Sequence, residues 1–293
     1  MKFEKDLALA SLDSLGIDIE ELLQLLRFDP AEHANDIVEV ITTSHRFDMP
    51  AKASACTLLQ VPEIRSLLSN DGSGIVLVDA NLDTRTMGKV SPVSYFCAML
   101  ASTFSYVEGT ISISFFCGKH LEDGERIGGP RALMRSLLGQ IIAQLLRNGI
   151  RGLHGFRGVN ANKFRVDLEA LQVDALCEAF RRVIGGLSGD MMVFCLVDGI
   201  SWYDDERWRA EMECIRHTLL SASSEDHGGA RMKVLLTCPG RSRGMMGWLG
   251  PERYVDWRKR GASSGVTSDR HFERQVMEAM RQGRPPTVPE ERW

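Results

Sequence analysis

The chain has 293 residues, 44% hydrophobic and 25% charged, which suits one large α/β domain with an appendage or two small domains. A formal net charge of -4 gives no reason to expect nucleic acid as a general partner. The seven cysteines are dispersed, mostly within apolar runs, and contain no CxxC pair, the pattern of reduced, buried thiols rather than a disulfide framework.

Residues 1–70 read as a helical appendage. It is acidic, with 13 acidic and 6 basic side chains over residues 1–74. Leu7, Leu9, Leu12, Leu15, Ile19, Leu22, Leu23 and Leu26 recur near helical spacing, and Gly16 divides the stretch into two helices. Asp29-Pro30 is a helix-start signal for a third helix over Ala31 to Thr42. The segment "HRFDMPAKASACTLLQVPEIRSLLSN" predicts two more short helices, ending before Asp71-Gly72-Ser73-Gly74.

The texture then changes, and residues 71–262 read as an α/β core. Apolar runs at 74–78, 110–116, 191–197 and 232–237 alternate with helical patterns. Ser91-Pro92 supplies an N-cap and a proline at the first helical position, and Val93, Phe96, Cys97, Leu100, Ala101 and Phe104 follow on one face. Gly129-Pro130 opens a further helix; Leu171 to Ile184 and Arg207 to Leu220 are two more. Continuous apolar strands separated by helices predict a parallel sheet covered on both faces, with a weaker fifth strand at 253–257. Glycine-rich 149–160 reads as a surface loop. Residues 263–293 read as a short helix around His271 to Met280 and a flexible tail. The start lacks a signal-peptide h-region, and no apolar run reaches the ~18 residues that span a bilayer, so a cytoplasmic chain without membrane contact is expected.

Three stretches could carry chemistry. In "VLVDANLDTRTMGKVSP" a strand, a Gly88-Lys89 pair and a helix stand in the order of a phosphate-binding loop, whose signature is GxxxxGK[ST]. Backbone N–H groups of residues 81 to 89, from Asn81 to Gly88 and Lys89, would form the cradle at a helix N-terminus. Counted back from Gly88, Asp83 replaces the first glycine; counted from the strand end, Ala80 does, with seven residues between where the signature has four. That lengthening costs only ~0.5 kcal/mol of closure entropy. Val90 cannot ligate a metal, and Ser91 stands one residue late, as helix N-cap or substitute magnesium ligand. In "MMVFCLVDGISWYDD" Asp198 ends a strand where a carboxylate could approach magnesium through water. Ser201 and Trp202 cannot orient a water, and Asp204 and Asp205 read as exposed caps of the next helix. Without a positioned general base a rate falls about 10²- to 10⁴-fold, so fast hydrolysis is not expected and no catalytic residue is assigned. In "KVLLTCPGRSR" Thr237 could sense a γ-phosphate and Arg241 or Arg243 reach one; equally, the strand simply ends at Cys238-Pro239-Gly240 with arginines on the surface. Cys117 and His120 are weak grounds for a thiol nucleophile, and there is no GxSxG, HExxH or finger-spaced zinc set.

With these stretches in order the chain resembles NACHT-type STAND-class P-loop NTPases, most of all the divergent versions abundant in filamentous fungi, over roughly residues 40 to 260. The resemblance rests on "SHRF", "IVLVDAN…SPVSYFCAML", "SISFFCGKH…GPRALMRSLLGQIIAQLL", "VFCLVDGIS" and "KVLLTCPGR". It implies a P-loop NTPase-like parallel sheet of about five strands. Lys89 would be the P-loop lysine, Asp198 the Walker B aspartate and Thr237 the sensor-region polar residue. ATP or GTP with magnesium would be the ligand, or none if the loop is a relic. Ser201 and Trp202 stand where the family carries two acids, and Cys238-Pro239 where it carries Ser-Arg. Such proteins act as nucleotide-dependent switches, so the resemblance implies a non-hydrolysing interaction or signalling module, or a slow nucleoside triphosphatase using Lys89 and Asp198. The implied partner is a protein, either a fuller STAND protein or a second copy of the chain.

Overall fold

The computed structural model describes residues 19–83, 88–121, 128–150, 161–224, 229–241, 244–257 and 268–282. It is an α/β fold: one five-stranded, all-parallel sheet flanked by helices on both faces. The strands are β1 (Gly74–Asp79), β2 (Thr110–Phe116), β3 (Met192–Asp198), β4 (Arg231–Cys238) and β5 (Tyr254–Asp256), in spatial order β2-β3-β4-β1-β5. The five match the expected apolar runs to within two residues.

The helices preceding the sheet are α1 (Ile19–Leu25), α2 (Pro30–Thr43), α3 (Met49–Cys56) and α4 (Pro62–Ser69). The helix expected before Gly16 lies outside the described residues. Asp29 caps α2 by accepting from the Ala31 N–H at 2.9 Å, with Pro30 in the first turn, as the sequence pattern predicts. After β1 come α5 (Pro92–Phe104), then, beyond β2, α6 (Gly129–Arg147), α7 (Ala161–Glu169) and α8 (Val173–Gly186). Helix α9 (Arg209–Ala222) links β3 to β4, and α10 (Asp269–Gln282) follows β5. Helix α7 is a departure from the sequence reading, which assigns it nothing. Leu171 is another: it is not the start of α8 but a left-handed stop after α7, at φ 52°, with its N–H donated to Leu168 O. The glycine-rich stretch 151–160 and the tail beyond 282 lie outside the described residues.

The strand order decides which helices cover which face. The chain leaves β1 for the far edge at β2, then steps back through β3 and β4. Right-handed crossovers therefore put α5 on one face and α6 to α9 on the other. The two apolar clusters follow that division with a period of two. Ile75, Leu77, Val193, Cys195, Val197, Val234 and Leu236 pack with α6, α8 and α9. Val76, Val78, Phe194, Leu196 and Leu235 pack with α4, α5 and α10. By the same alternation Asp198 and Thr237 face α5, whereas Asp79 and Cys238 face the other way.

Edge strand β2 is closed by side chains of α6. Gln140 accepts from the Ser114 N–H at 2.9 Å and donates to Ser114 O at 2.8 Å. One turn on, Gln144 does the same to Ser112, at 3.2 and 2.8 Å. Two amides thus occupy backbone groups that would otherwise await another strand. Gly139, one residue before Gln140, is where the Phe28 ring lies on α6: a Cβ there would stand 2.3 Å from Phe28 Cγ.

Among the described residues no helix is long and apolar enough to cross a membrane.

Candidate functional site

In open α/β sheets ligands bind at the carboxyl ends of the strands. Lys89, Ser91, Asp198 and Thr237 all belong to that edge, on the loop after β1, the start of α5 and the ends of β3 and β4. Three of them, Ser91, Asp198 and Thr237, are buried and hydrogen-bonded. Thr237 Oγ1 donates to Asp198 Oδ1 at 2.7 Å and accepts from the Gly199 N–H at 3.0 Å. The Ser94 hydroxyl, one turn into α5, lies beside the same carboxylate. Ser94 is in turn locked to Ser91 by a capping box: Ser91 N–H to Ser94 Oγ at 3.0 Å and Ser94 N–H to Ser91 Oγ at 3.1 Å. The two hydroxyls are themselves 3.1 Å apart.

Asp198 is only 3% exposed. Burial lifts its carboxyl to about 6, against the opposing effect of the hydrogen bonds from Ser94 and Thr237. Cys97 and Cys117 flank it, both buried, and burial reinforced by the Asp198 charge pushes both thiols well up. Cys117 is therefore no activated nucleophile. Its sequence neighbour His120 is engaged elsewhere, with Nε2 2.6 Å from Asp36 Oδ2 and its ring stacked on Phe115.

The loop after β1 stays zipped to β4. The Ala80 N–H donates to Cys238 O at 2.9 Å and the Leu82 N–H to Pro239 O at 2.8 Å. Between them Asn81 sits in the left-handed region at φ 49°, with its N–H on Asp79 Oδ1 at 3.0 Å. The first two backbone donors of the expected cradle, those of Asn81 and Leu82, are thus committed. Gly88 is left-handed at φ 74°, and Gly88, Lys89 and Asp83 are exposed; residues 84–87 lie outside the described set. The Lys89 carbonyl packs on Gly118, where a Cβ would come within 2.4 Å of that oxygen and 3.1 Å of Trp202 Nε1. Trp202 also covers Gly199, which is left-handed at φ 73° and whose notional Cβ would lie 2.7 Å from the indole. The Asp-Gly pair after β3 therefore needs its glycine twice, for the turn and for the tryptophan above it.

Asp205 caps the turn before α9 by accepting from the Arg207 N–H at 3.0 Å, as expected, but Asp204 instead accepts from the Gly244 N–H at 3.1 Å. Arg241 is exposed, and Arg243 lies outside the described residues. Sequence reasoning overlooks Asp79, the buried acid ending β1. Its carboxylate takes the Tyr254 hydroxyl at 2.8 Å, and burial raises it, countered first by that hydrogen bond. The available signal was its position: a second strand-end aspartate, hidden because attention falls on the loop that follows it.

Among the described residues no group of three or more His, Cys, Asp or Glu is placed to hold a metal ion. No family model matches the chain, and no curated protein matches it significantly.

Proposed function

We propose that the chain is a non-hydrolysing NACHT/STAND-like module on a degenerate P-loop NTPase-like sheet, a cytoplasmic protein acting through contacts with a protein partner. The observation that carries this reading is the state of Asp198. A Walker B carboxylate must offer its oxygens to the water shell of magnesium; here Oδ1 accepts from Thr237 and the side chain is buried beside Ser94. ATP or GTP with magnesium fits the residues in hand poorly. The N–H groups of residues 80–82 already have carbonyl and carboxylate partners. Ser91, the substitute metal ligand, is consumed by its capping box. Trp202 packs over Gly199 at the position where the family carries an acid that orients water.

A second reading, a slow nucleoside triphosphatase with Lys89 on phosphate and Asp198 near magnesium, is favoured by one observation: Lys89, Ser91, Asp198 and Thr237 share one sheet edge. Equilibrium binding of ATP and GTP, with and without magnesium, to the wild type and Lys89→Ala separates the two. The expected result is no binding up to about 1 mM. Micromolar affinity that drops about tenfold in Lys89→Ala would overturn the proposal, since each factor of ten is ~1.4 kcal/mol of phosphate contact.

A further inference from the structure

Helix α2 is held in place more by charge than by apolar burial. Of its fourteen residues only Val40 is buried, with Ile37 and Ile41 half-buried beside it, and Val38 is 61% exposed. In α5, one residue shorter, every residue but Ser102 is buried. Glu32, Asp36 and Glu39 recur along α2 at i, i+4 and i+7, which places them on one face. Glu32 Oε2 lies 3.1 Å from Arg135 Nη2 on α6. Asp36 bridges two successive residues after β2, with Oδ2 2.6 Å from His120 Nε2 and Oδ1 3.4 Å from Lys119 Nζ. Glu39 reaches the same ammonium. The three basic side chains are only 8 to 12% exposed, so these contacts are largely closed to solvent.

Lys119 and His120 belong to the turn 117–120, whose Gly118 packs on the Lys89 carbonyl and on Trp202. The His120 carbonyl accepts from the Tyr203 hydroxyl at 3.0 Å and from the Gly129 N–H at 2.8 Å. One short turn is thus gripped through its side chains by α2. Through its backbone it is gripped by the Gly88-Lys89 loop, the residues after β3 and the start of α6. Two elements that share such a neighbour bias each other's position, and the bias is reciprocal.

We propose that α2 is a releasable strap, closed by its acidic face, which clamps the turn 117–120 against the Gly88-Lys89 loop, so that lifting α2 loosens turn and loop together. An element with few buried apolar contacts opens at a lower free energy than the core does. The joint before α2 is Arg27, a non-glycine residue held in the left-handed region at φ 48°. Its carbonyl takes the Arg135 guanidinium at 2.9 Å, so the same arginine that pairs with Glu32 also pins the joint. The strap does not depend on whether the loop binds phosphate.

Amide hydrogen exchange on the full chain, read by mass spectrometry, tests this with β3 as the internal standard. In the wild type, residues 33–43 should exchange at least about tenfold faster than β3. Glu32→Gln weakens the strap at a residue paired with α6 and not with the turn. It should speed exchange about tenfold in residues 33–43 and, by the same factor, in 118–121 and 90–91, with β3 unchanged. Asp36→Asn should do likewise. A turn that responds to Asp36→Asn, its direct contact, but not to Glu32→Gln would show local pairing without a strap and overturn the proposal. So would an α2 as protected as β3 in the wild type, a comparison that decides the matter even where a variant loses its fold.

Discussion

Asp198 shows how one side chain can hold a site together while its charge is poorly solvated. Its carboxyl is raised from 3.8 to about 6 by burial, so folding favours the protonated form. The sign follows directly. The contribution is fully present below the unfolded value near 3.8 and is lost as pH rises through about 6, a difference of about 3 kcal/mol. Asp198→Asn keeps the shape and the acceptor for Thr237 but cannot ionise. Between pH 4 and pH 8 its stability relative to the wild type should therefore shift by about 3 kcal/mol in the variant's favour. Urea unfolding of both proteins at the two pH values measures this; parallel curves would mean the carboxylate is solvated. The residue itself was legible, because a lone acid ending an apolar run is a local signal. Its partner Ser94 was not, since a serine in the first turn of a helix reads only as part of a cap.

Whole elements were legible where the hydrophobic pattern is local, and obscure where their meaning depends on contacts distant in sequence. The apolar runs named the strands, and Ser91-Pro92 named the start of α5. Helix α7 escaped because its composition is polar and it follows a glycine-rich stretch, so no apolar stripe announces it. The glutamines of α6 are a sharper case. Within "LLGQIIAQLL" they look like polar breaks in an apolar helix, yet their partners on β2 lie 26 and 32 residues earlier. Replacing both, as Gln140→Ala with Gln144→Ala, removes four hydrogen bonds to an edge strand. The expected cost is about 2 to 4 kcal/mol. The freed edge should also pair with another chain, which light scattering on the purified variant would detect as concentration-dependent association. A variant as stable as the wild type would show that solvent satisfies β2 equally well.

At the scale of the whole molecule, the N-terminal helices are fastened into both layers of the fold. Ile19, Leu22 and Leu26 belong to the cluster on the α6 face. Val40, Leu58, Leu59, Ile64, Leu67 and Leu68 belong to the cluster on the α5 face. Polar contacts complete the attachment. Arg135 of α6 donates to Arg27 O at 2.9 Å and reaches Glu32 at 3.1 Å, and Lys119 lies 3.4 Å from Asp36. Lys233 of β4, 3% exposed, sends its ammonium to Leu68 O at 3.1 Å and to Asn70 O at the end of α4. Sequence composition alone draws a boundary at residue 70, because helices there give way to strands; it cannot see that a strand lysine depends on carbonyls across that boundary. A chain lacking residues 1–70 would lose those nine buried side chains and bare the core surface they cover, a gross burial of roughly 15 kcal/mol at ~1.5 kcal/mol or more each. The ordering entropy of the removed helices offsets much of that gross gain, yet even a third of it is a large share of a total stability of about 5 to 15 kcal/mol. The truncation would also strip the carbonyls that solvate a buried ammonium, a loss the apolar sum does not include. The truncated chain should accordingly lose cooperative thermal unfolding by circular dichroism and elute as aggregate. A sharp transition in that chain would instead establish the sheet as a separate domain carrying its own core.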